Sequence, residues 1–277
     1  MRIGVDLGGT NVRGSLVDDS GNLYHYRKER FRNDASLDDT LSQLITFIRP
    51  LVAPEVRGIG IGVPSVVDPV KGIVYNVTNI PSWTSVPLAE RLRTEFHIPV
   101  AVNNDVNCFA LGEFRYGMLA GYSHVVGMSC GTGLGSGIIA NGQLLTGARC
   151  GAGEIGLMNY RDRNIEYYAS GNFFRVQYNT TAEDANKRAS AGNADMLEGW
   201  ATFGRHLAEA IKTVMYAYDP EAISIGGSLS KAFQHFEKPM RDALLTGFEF
   251  PESIRQVRIF QSTNENISVI GAASLIA

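Results

Sequence analysis

Gly4-Val5-Asp6-Leu7-Gly8-Gly9-Thr10-Asn11 is the stretch on which the reading of this chain turns. A short β run through Ile3 and Val5 delivers a carboxylate, then two glycines, a hydroxyl and an amide. Glycines in a turn let backbone N–H groups approach an anion without a side chain in the way. Asp6 suits a hydrated Mg²⁺, and Thr10 and Asn11 are donors for phosphate oxygens. No Gly-Lys-Ser/Thr follows, so this is not a Walker loop. Taken alone, the stretch reads equally well as a grip for ATP phosphates and as an ordinary hairpin turn.

A second turn of the same kind lies downstream. Val125 to Ser129 reads as a strand, Cys130-Gly131-Thr132-Gly133-Leu134-Gly135-Ser136-Gly137 as a glycine-rich loop, and Ile138 to Ala140 resumes the extended pattern. A third glycine pair, Gly226-Gly227, follows the apolar run Ala222 to Ile225. Two phosphate hairpins and a later glycine turn near the nucleoside resemble the layout of the actin, Hsp70 and sugar-kinase superfamily.

Composition narrows the alternatives. The chain has 277 residues, 44% hydrophobic and 19% charged, which allows one large domain or two small ones. A net charge of −3 leaves no nucleic-acid footprint and no membrane-surface bias. No apolar run approaches the ~20 residues of a membrane span. With a strand starting at residue 2, a signal peptide is not expected, and the expected location is the cytoplasm. Cys108, Cys130 and Cys150 lack Cys-x-x-Cys spacing and read as buried thiols. The five histidines are isolated and read as structural.

Along the chain, a meander over 2–31 precedes a helix that starts at Ser36, with an apolar stripe from Leu37 to Val52. A buried strand ends at Pro64, and 65–87, rich in proline, reads as a long irregular stretch. Helix 88–96, strand 99–103 and helix 105–116 follow. The second half repeats the theme: strands over 123–129 and 135–147, a strong helix over 196–218, then strand, helix, strand and a final helix. Hairpins followed by alternating strand and helix, done twice, predict an α/β protein with two related lobes and a ligand cleft between them. The expected lobes are 1–117 and 118–277, with the terminal helix, about 267–277, free to pack back on the first.

Asp105, in Val102-Asn103-Asn104-Asp105-Val106-Asn107, stands where a strand ends and a helix begins. Ligands gather there in such sheets, and the helix N-terminus favours an ionised carboxylate. Phosphoryl transfer to an alcohol needs a base for the hydroxyl proton. The competing role for Asp105 is a helix N-cap. Glu154, among glycines, and Glu166 offer acceptors for sugar hydroxyls. Asn79, in the long loop, is a further candidate for a substrate contact, Asn103 and Asn104 flank Asp105 with amides, and Trp83 reads equally as local packing.

Together these residues resemble the ROK family of bacterial sugar kinases over nearly the whole chain. The resemblance implies an actin-like, two-lobed ATPase fold of duplicated ribonuclease H-like domains. It makes Asp105 the base, and Asn79, Asn104, Glu154 and Glu166 the sugar contacts. Asp6, Gly8, Gly9, Thr10, Asn11, Gly131, Thr132, Gly133, Gly226 and Gly227 then hold ATP, with Mg²⁺ reached from Asp6 through water. The implied activity is ATP-dependent phosphorylation of a hexose or amino sugar, glucokinase-like. The alternative is a sugar- or nucleotide-binding regulator without turnover. One departure stands out: Leu157 replaces the family histidine, and 158–164 lacks the cysteines of the family zinc loop. No zinc is therefore expected, and packing by Met158, Tyr160 and Tyr167 would hold the loop, with Arg161 and Arg163 in solvent. The regulators' N-terminal DNA-binding helices are not expected either. The expected partner is a small sugar, with no nucleic acid and no membrane, and a homodimer left open.

Overall fold

The computed structural model describes residues 1–277 apart from Thr78 and Arg149. Two compact units emerge: Met1–Ala120 with Leu144–Ala152 and Asn264–Ala277, and Gly121–Gln143 with Gly153–Thr263.

Two five-stranded sheets share one layout, the first lying wholly in the first unit and the second mostly in the second. In the first, Arg2–Leu7 pairs antiparallel with Asn11–Val17, which pairs antiparallel with Leu23–Arg30. On its other side Arg2–Leu7 pairs parallel with Ile59–Val63, and that strand with Val100–Asn104. In the second, Val125–Cys130 pairs antiparallel with Leu134–Ala140 and parallel with Ala222–Gly226. Arg258–Gln261 and Gln143–Leu145 form its edges. Arg2–Leu7 and Ile59–Val63 are buried at every residue, as central strands covered on both faces are.

The covering layers follow from sequence chemistry. Helix Leu37–Ile48 starts where Ser36 Oγ accepts the Asp39 N–H, as the cap signal predicts. Helix Ile267–Ala273 lies backbone to backbone on the first sheet and on helix Asp105–Tyr116. A Cβ on Gly60 would stand 1.8 Å from the Ala272 carbonyl oxygen, and one on Gly271 1.7 Å from that of Cys108. No other residue type permits that approach. In the second unit the long helix Ala194–Tyr218 covers the sheet with an aromatic cluster. Phe174 and Trp200 have ring centroids 4.2 Å apart, and Phe203 and Phe236 5.3 Å.

The stretch 65–87, expected to be irregular, holds a small antiparallel sheet of Val66–Asp68, Ile73–Tyr75 and Ser85–Val86. Strands of two or three residues are too short for an alternating pattern to register. Trp83 is fully buried, with Nε1 donating to Thr40 Oγ1 at 2.7 Å, so its role is packing.

Candidate functional site

In the first unit the candidate residues gather at the carboxyl ends of the strands. Strand register sets Asp6 beside Gly62, and Gly62 beside Asn103. The hairpin closes with the Gly8 N–H donating to the Asn11 carbonyl at 2.9 Å, and Thr10 and Asn11 are exposed at its tip. Gly9 is needed sterically as well: a Cβ there would lie 2.5 Å from that of Asn79. The fold thus brings Asn79 from the long loop onto the first hairpin. The Asn79 carbonyl accepts from Asn33 Nδ2 at 2.8 Å.

Asp6 is engaged by Arg13. Its Oδ2 accepts from Arg13 Nε at 3.0 Å and from a second guanidinium nitrogen, and Arg13 also donates to the Glu265 carbonyl at 2.8 Å. Among the described residues Oδ1 has no hydrogen-bond partner. A hard carboxylate with one oxygen in reserve fits a water-mediated hold on Mg²⁺. Arg13 was not singled out in the sequence, because an arginine inside a strand carries no pattern of its own.

Asn104, not Asp105, caps helix Asp105–Tyr116. Asn104 Oδ1 accepts the N–H of Val106 at 2.8 Å and of Asn107 at 3.2 Å, and its Nδ2 donates to the Ser65 carbonyl at 3.3 Å. Its second amide hydrogen has no partner among the described residues. Asp105 is the first helical residue, with Oδ1 accepting the Val106 N–H at 2.9 Å. Behind it, Asn103 Oδ1 accepts from the Asn104 N–H, Asn107 Nδ2 and Cys150 Sγ at 2.8, 3.0 and 3.2 Å. Burial, and then the charges of Asp105 and Asp6, push the Cys108 thiol well above its ordinary range. Both carboxylates therefore lie near one buried thiol.

In the second unit the Gly131 N–H donates to the Gly133 carbonyl at 2.9 Å, and the Gly171 N–H to that of Gly131 at 2.8 Å. Glu166 Oε2 accepts the Leu134 N–H at 2.8 Å, and a Cβ on Gly133 would stand 2.5 Å from that oxygen. Gly131 is open by contrast: its nearest neighbour would be Ser228 Oγ at 3.7 Å. Gly226 ends its strand buried; Gly227 has φ +82°, and a Cβ there would come 2.3 Å from the Cys130 carbonyl oxygen. The third glycine pair thus abuts the second hairpin. Partial burial, then the charge of Glu166, raise the Glu154 carboxyl above its ordinary value, so these two carboxylates are electrostatic neighbours.

A cavity of about 590 Å³ opens beside Gly131, Thr132 and Ser228, with Arg175, Asn186 and Lys231 on its wall. The last three were missed in the sequence. Arg175 and Asn186 belong to no motif; only Lys231, shortly after Gly226-Gly227, carried a positional hint.

The loop at 158–164 is a minimal hairpin of Asn159–Tyr160 and Arg163–Asn164. Its packing differs from expectation: Met158 is exposed, and Tyr160 packs on Tyr168 and His206, with centroids at 5.5 and 5.8 Å. Arg161 and Arg163 are exposed yet lie over tyrosine rings. Among the described residues no three His, Cys, Asp or Glu side chains are grouped to hold a metal ion. No helix among them is long and apolar enough to cross a membrane.

The profile of the ROK family matches residues 2–277, and the chain belongs to that family. It is 28% identical over 306 residues to the glucokinase of Thermotoga maritima, covering 99% of this chain and 96% of that protein. It is 28% identical over 276 residues to the N-acetyl-D-glucosamine kinase of Pasteurella multocida, covering 88% and 89%. A solved structure from Cytophaga hutchinsonii superposes with a TM-score of 0.85 at 28% identity, covering 100% of this chain and 99% of that one. A ROK family glucokinase from Streptomyces griseus, in complex with glucose and AMPPNP, gives 0.84 at 23% identity, covering 99% and 98%. The fold is the actin-like α/β fold of this family, with its duplicated unit.

Proposed function

We propose that this protein is an ATP-dependent sugar kinase that transfers the γ-phosphoryl group to a hydroxyl of a hexose or amino sugar. The observation that carries the reading is the division of labour at Asn104-Asp105. Asn104 is the helix cap, which makes Asp105 the first helical residue and sets its carboxylate at the helix N-terminus, the place for a base. The kinase names of the full-length relatives support the same activity.

In this reading the two glycine hairpins hold the phosphates of ATP through backbone N–H groups, and the cavity beside Gly131 takes the nucleoside. Asp6 holds Mg²⁺ through water; the ion, when bound, neutralises charge that develops on the phosphate oxygens. Glu154, Glu166 and Asn79 accept and donate hydrogen bonds to sugar hydroxyls. Asp105 takes the proton of the attacking hydroxyl. The protein folds without zinc, its short loop held by Tyr160, Tyr168 and His206.

The test is ATP consumption, coupled to a dehydrogenase readout, against a panel of hexoses and N-acetylated amino sugars. The expected result is saturable turnover with at least one sugar. Calorimetric sugar binding with no turnover on any of them would overturn the kinase reading and leave a binding protein.

A further inference from the structure

A second cavity of about 590 Å³ opens elsewhere on the second unit, beside the long helix Ala194–Tyr218, helix Phe233–Leu244 and the hairpin at 159–164. None of its lining residues belongs to the candidate site. Among them are Tyr160, Arg161, Arg205, His206, Glu209 and Asp242. We propose that it is a binding site for a small phosphate-bearing anion, held by Arg161, Arg205 and His206.

The wall carries three cations, Arg161, Arg205 and Lys212, against two carboxylates, Glu209 and Asp242. Glu209 is taken by Lys212 at 2.9 Å and Asp242 by Lys238 at 2.6 Å. Arg205 pairs with Glu198 through one terminal nitrogen, which also lies 2.9 Å from Thr202 Oγ1. Arg161, at the hairpin tip with φ +55°, has no carboxylate within ion-pair distance among the described residues. Its guanidinium lies over the rings of Tyr160 and Tyr168, each at 5.5 Å, with the Tyr160 hydroxyl as a hydrogen-bond neighbour, which orients the fork.

His206 supplies the second, independent feature. It is 5% exposed, yet only one ring nitrogen has a protein partner: Nδ1 is 3.1 Å from the Tyr160 hydroxyl. Burial, then the charges of Arg161 and Arg205, keep this imidazole neutral, with its pKa lowered to about 4. We assign the Tyr160 proton to Nδ1, since the nearby Arg161 cation favours the phenol oxygen as an acceptor. Nε2 then carries the N–H left for a ligand. Guanidinium forks and an imidazole N–H are donors only, and converging donors favour an oxyanion where the neighbouring carboxylates, Glu209 and Asp242, are already engaged by lysines.

The site is wired to the candidate chemistry through its own hairpin. Asn164 Oδ1 caps the short helix Ile165–Tyr168 by accepting the Tyr167 N–H at 2.9 Å, and that helix carries Glu166. Tyr168 from the same helix packs 5.0 Å from the His206 ring. An anion on Arg161 and His206 braces the hairpin and the helix, and so the position of Glu166. This coupling rests on the reading of Glu166 as a sugar contact; the binding site does not.

Histidine ring resonances, with His206 assigned by His206→Gln, provide a local readout. The full protein is titrated with inorganic phosphate and, separately, with glucose 6-phosphate. The His206 signal should shift saturably, and Arg161→Gln should weaken the response roughly tenfold at an unchanged melting temperature. Tighter binding of the ester assigns the site to phosphate esters, and equal binding assigns it to phosphate itself. The absence of a saturable His206 shift with either probe overturns the proposal. So does a shift that persists undiminished in Arg161→Gln, because it then originates elsewhere. With turnover established, phosphate should change the sugar KM of the wild type and not of Arg161→Gln; an unchanged KM in both overturns the coupling. A protein without turnover refutes the kinase reading alone, since the resonance titration needs none.

Discussion

The two sheets have the same strand order and opposite covering layers. The first is closed by helix Ile267–Ala273, whose backbone touches sheet and helix through glycines. The second is covered through an aromatic cluster of Phe174, Trp200, Phe203 and Phe236, and its long helix meets helix Phe233–Leu244 at Gly204, where a Cβ would stand 2.6 Å from the Phe236 carbonyl oxygen. One topology has been stabilised by two packing solutions. What the copies keep in common is the hairpin after the first strand, and even there the tips differ: Gly9 faces Asn79, Gly133 faces Glu166, and Gly131 faces open space.

The sharpest asymmetry is chemical, because the base is assigned to one unit alone. Asp105→Asn should leave the Asn104 cap and ATP affinity intact while turnover falls about 10²–10⁴-fold. Steady-state kinetics with calorimetric ATP titration measures both, and near wild-type turnover would remove Asp105 from the mechanism. The packing contrast predicts opposite sensitivities. Phe203→Ala, large to small in the second unit, should cost about 3–5 kcal/mol. Gly271→Ala, small to large in the first, should cost about 1–3 kcal/mol or more despite adding only a methyl group. Chemical denaturation of both variants checks this, and a neutral Gly271→Ala would show that the close approach relaxes freely.

His206 gives the second unit a pH response. Its folded pKa, about 4, lies below the ordinary 6.5. The unfolded chain therefore binds a proton that the folded protein refuses between those values. Stability should fall as pH drops from about 6.5 toward 4, and His206→Gln should flatten that slope. Denaturation midpoints across this range decide it.

Gly131→Ala and Gly133→Ala compare two positions of one hairpin. Gly131→Ala has room for its methyl group, so folding should be unchanged while affinity for a non-hydrolysable ATP analogue falls about tenfold. Gly133→Ala must displace Glu166 and should raise the sugar KM instead. Identical effects would mean that the tip acts as one rigid piece. Finally, a chelator should leave the melting temperature unmoved in protein purified without a histidine tag; unfolding, or stoichiometric zinc on metal analysis, would refute the zinc-free reading.

Strand–glycine–strand punctuation, the helical stripes and the cap at Ser36 were legible because they are local: each depends on residues within one turn of each other. The same locality made Asp105 visible at a strand end, yet left open whether it was base or cap; Asn104 took the cap because only the backbone register chooses between neighbouring residues that both serve. The sequence by itself determined the duplicated α/β pattern, the two phosphate-type hairpins and the family to which they belong. Tertiary structure alone decided that Arg13 engages Asp6, that Asn79 and Glu166 each press on a hairpin glycine, and that Arg175, Asn186 and Lys231 line one cavity. Those facts depend on contacts between segments far apart in the chain, where the spacing of residues carries no record of which backbones approach closely enough to exclude a Cβ.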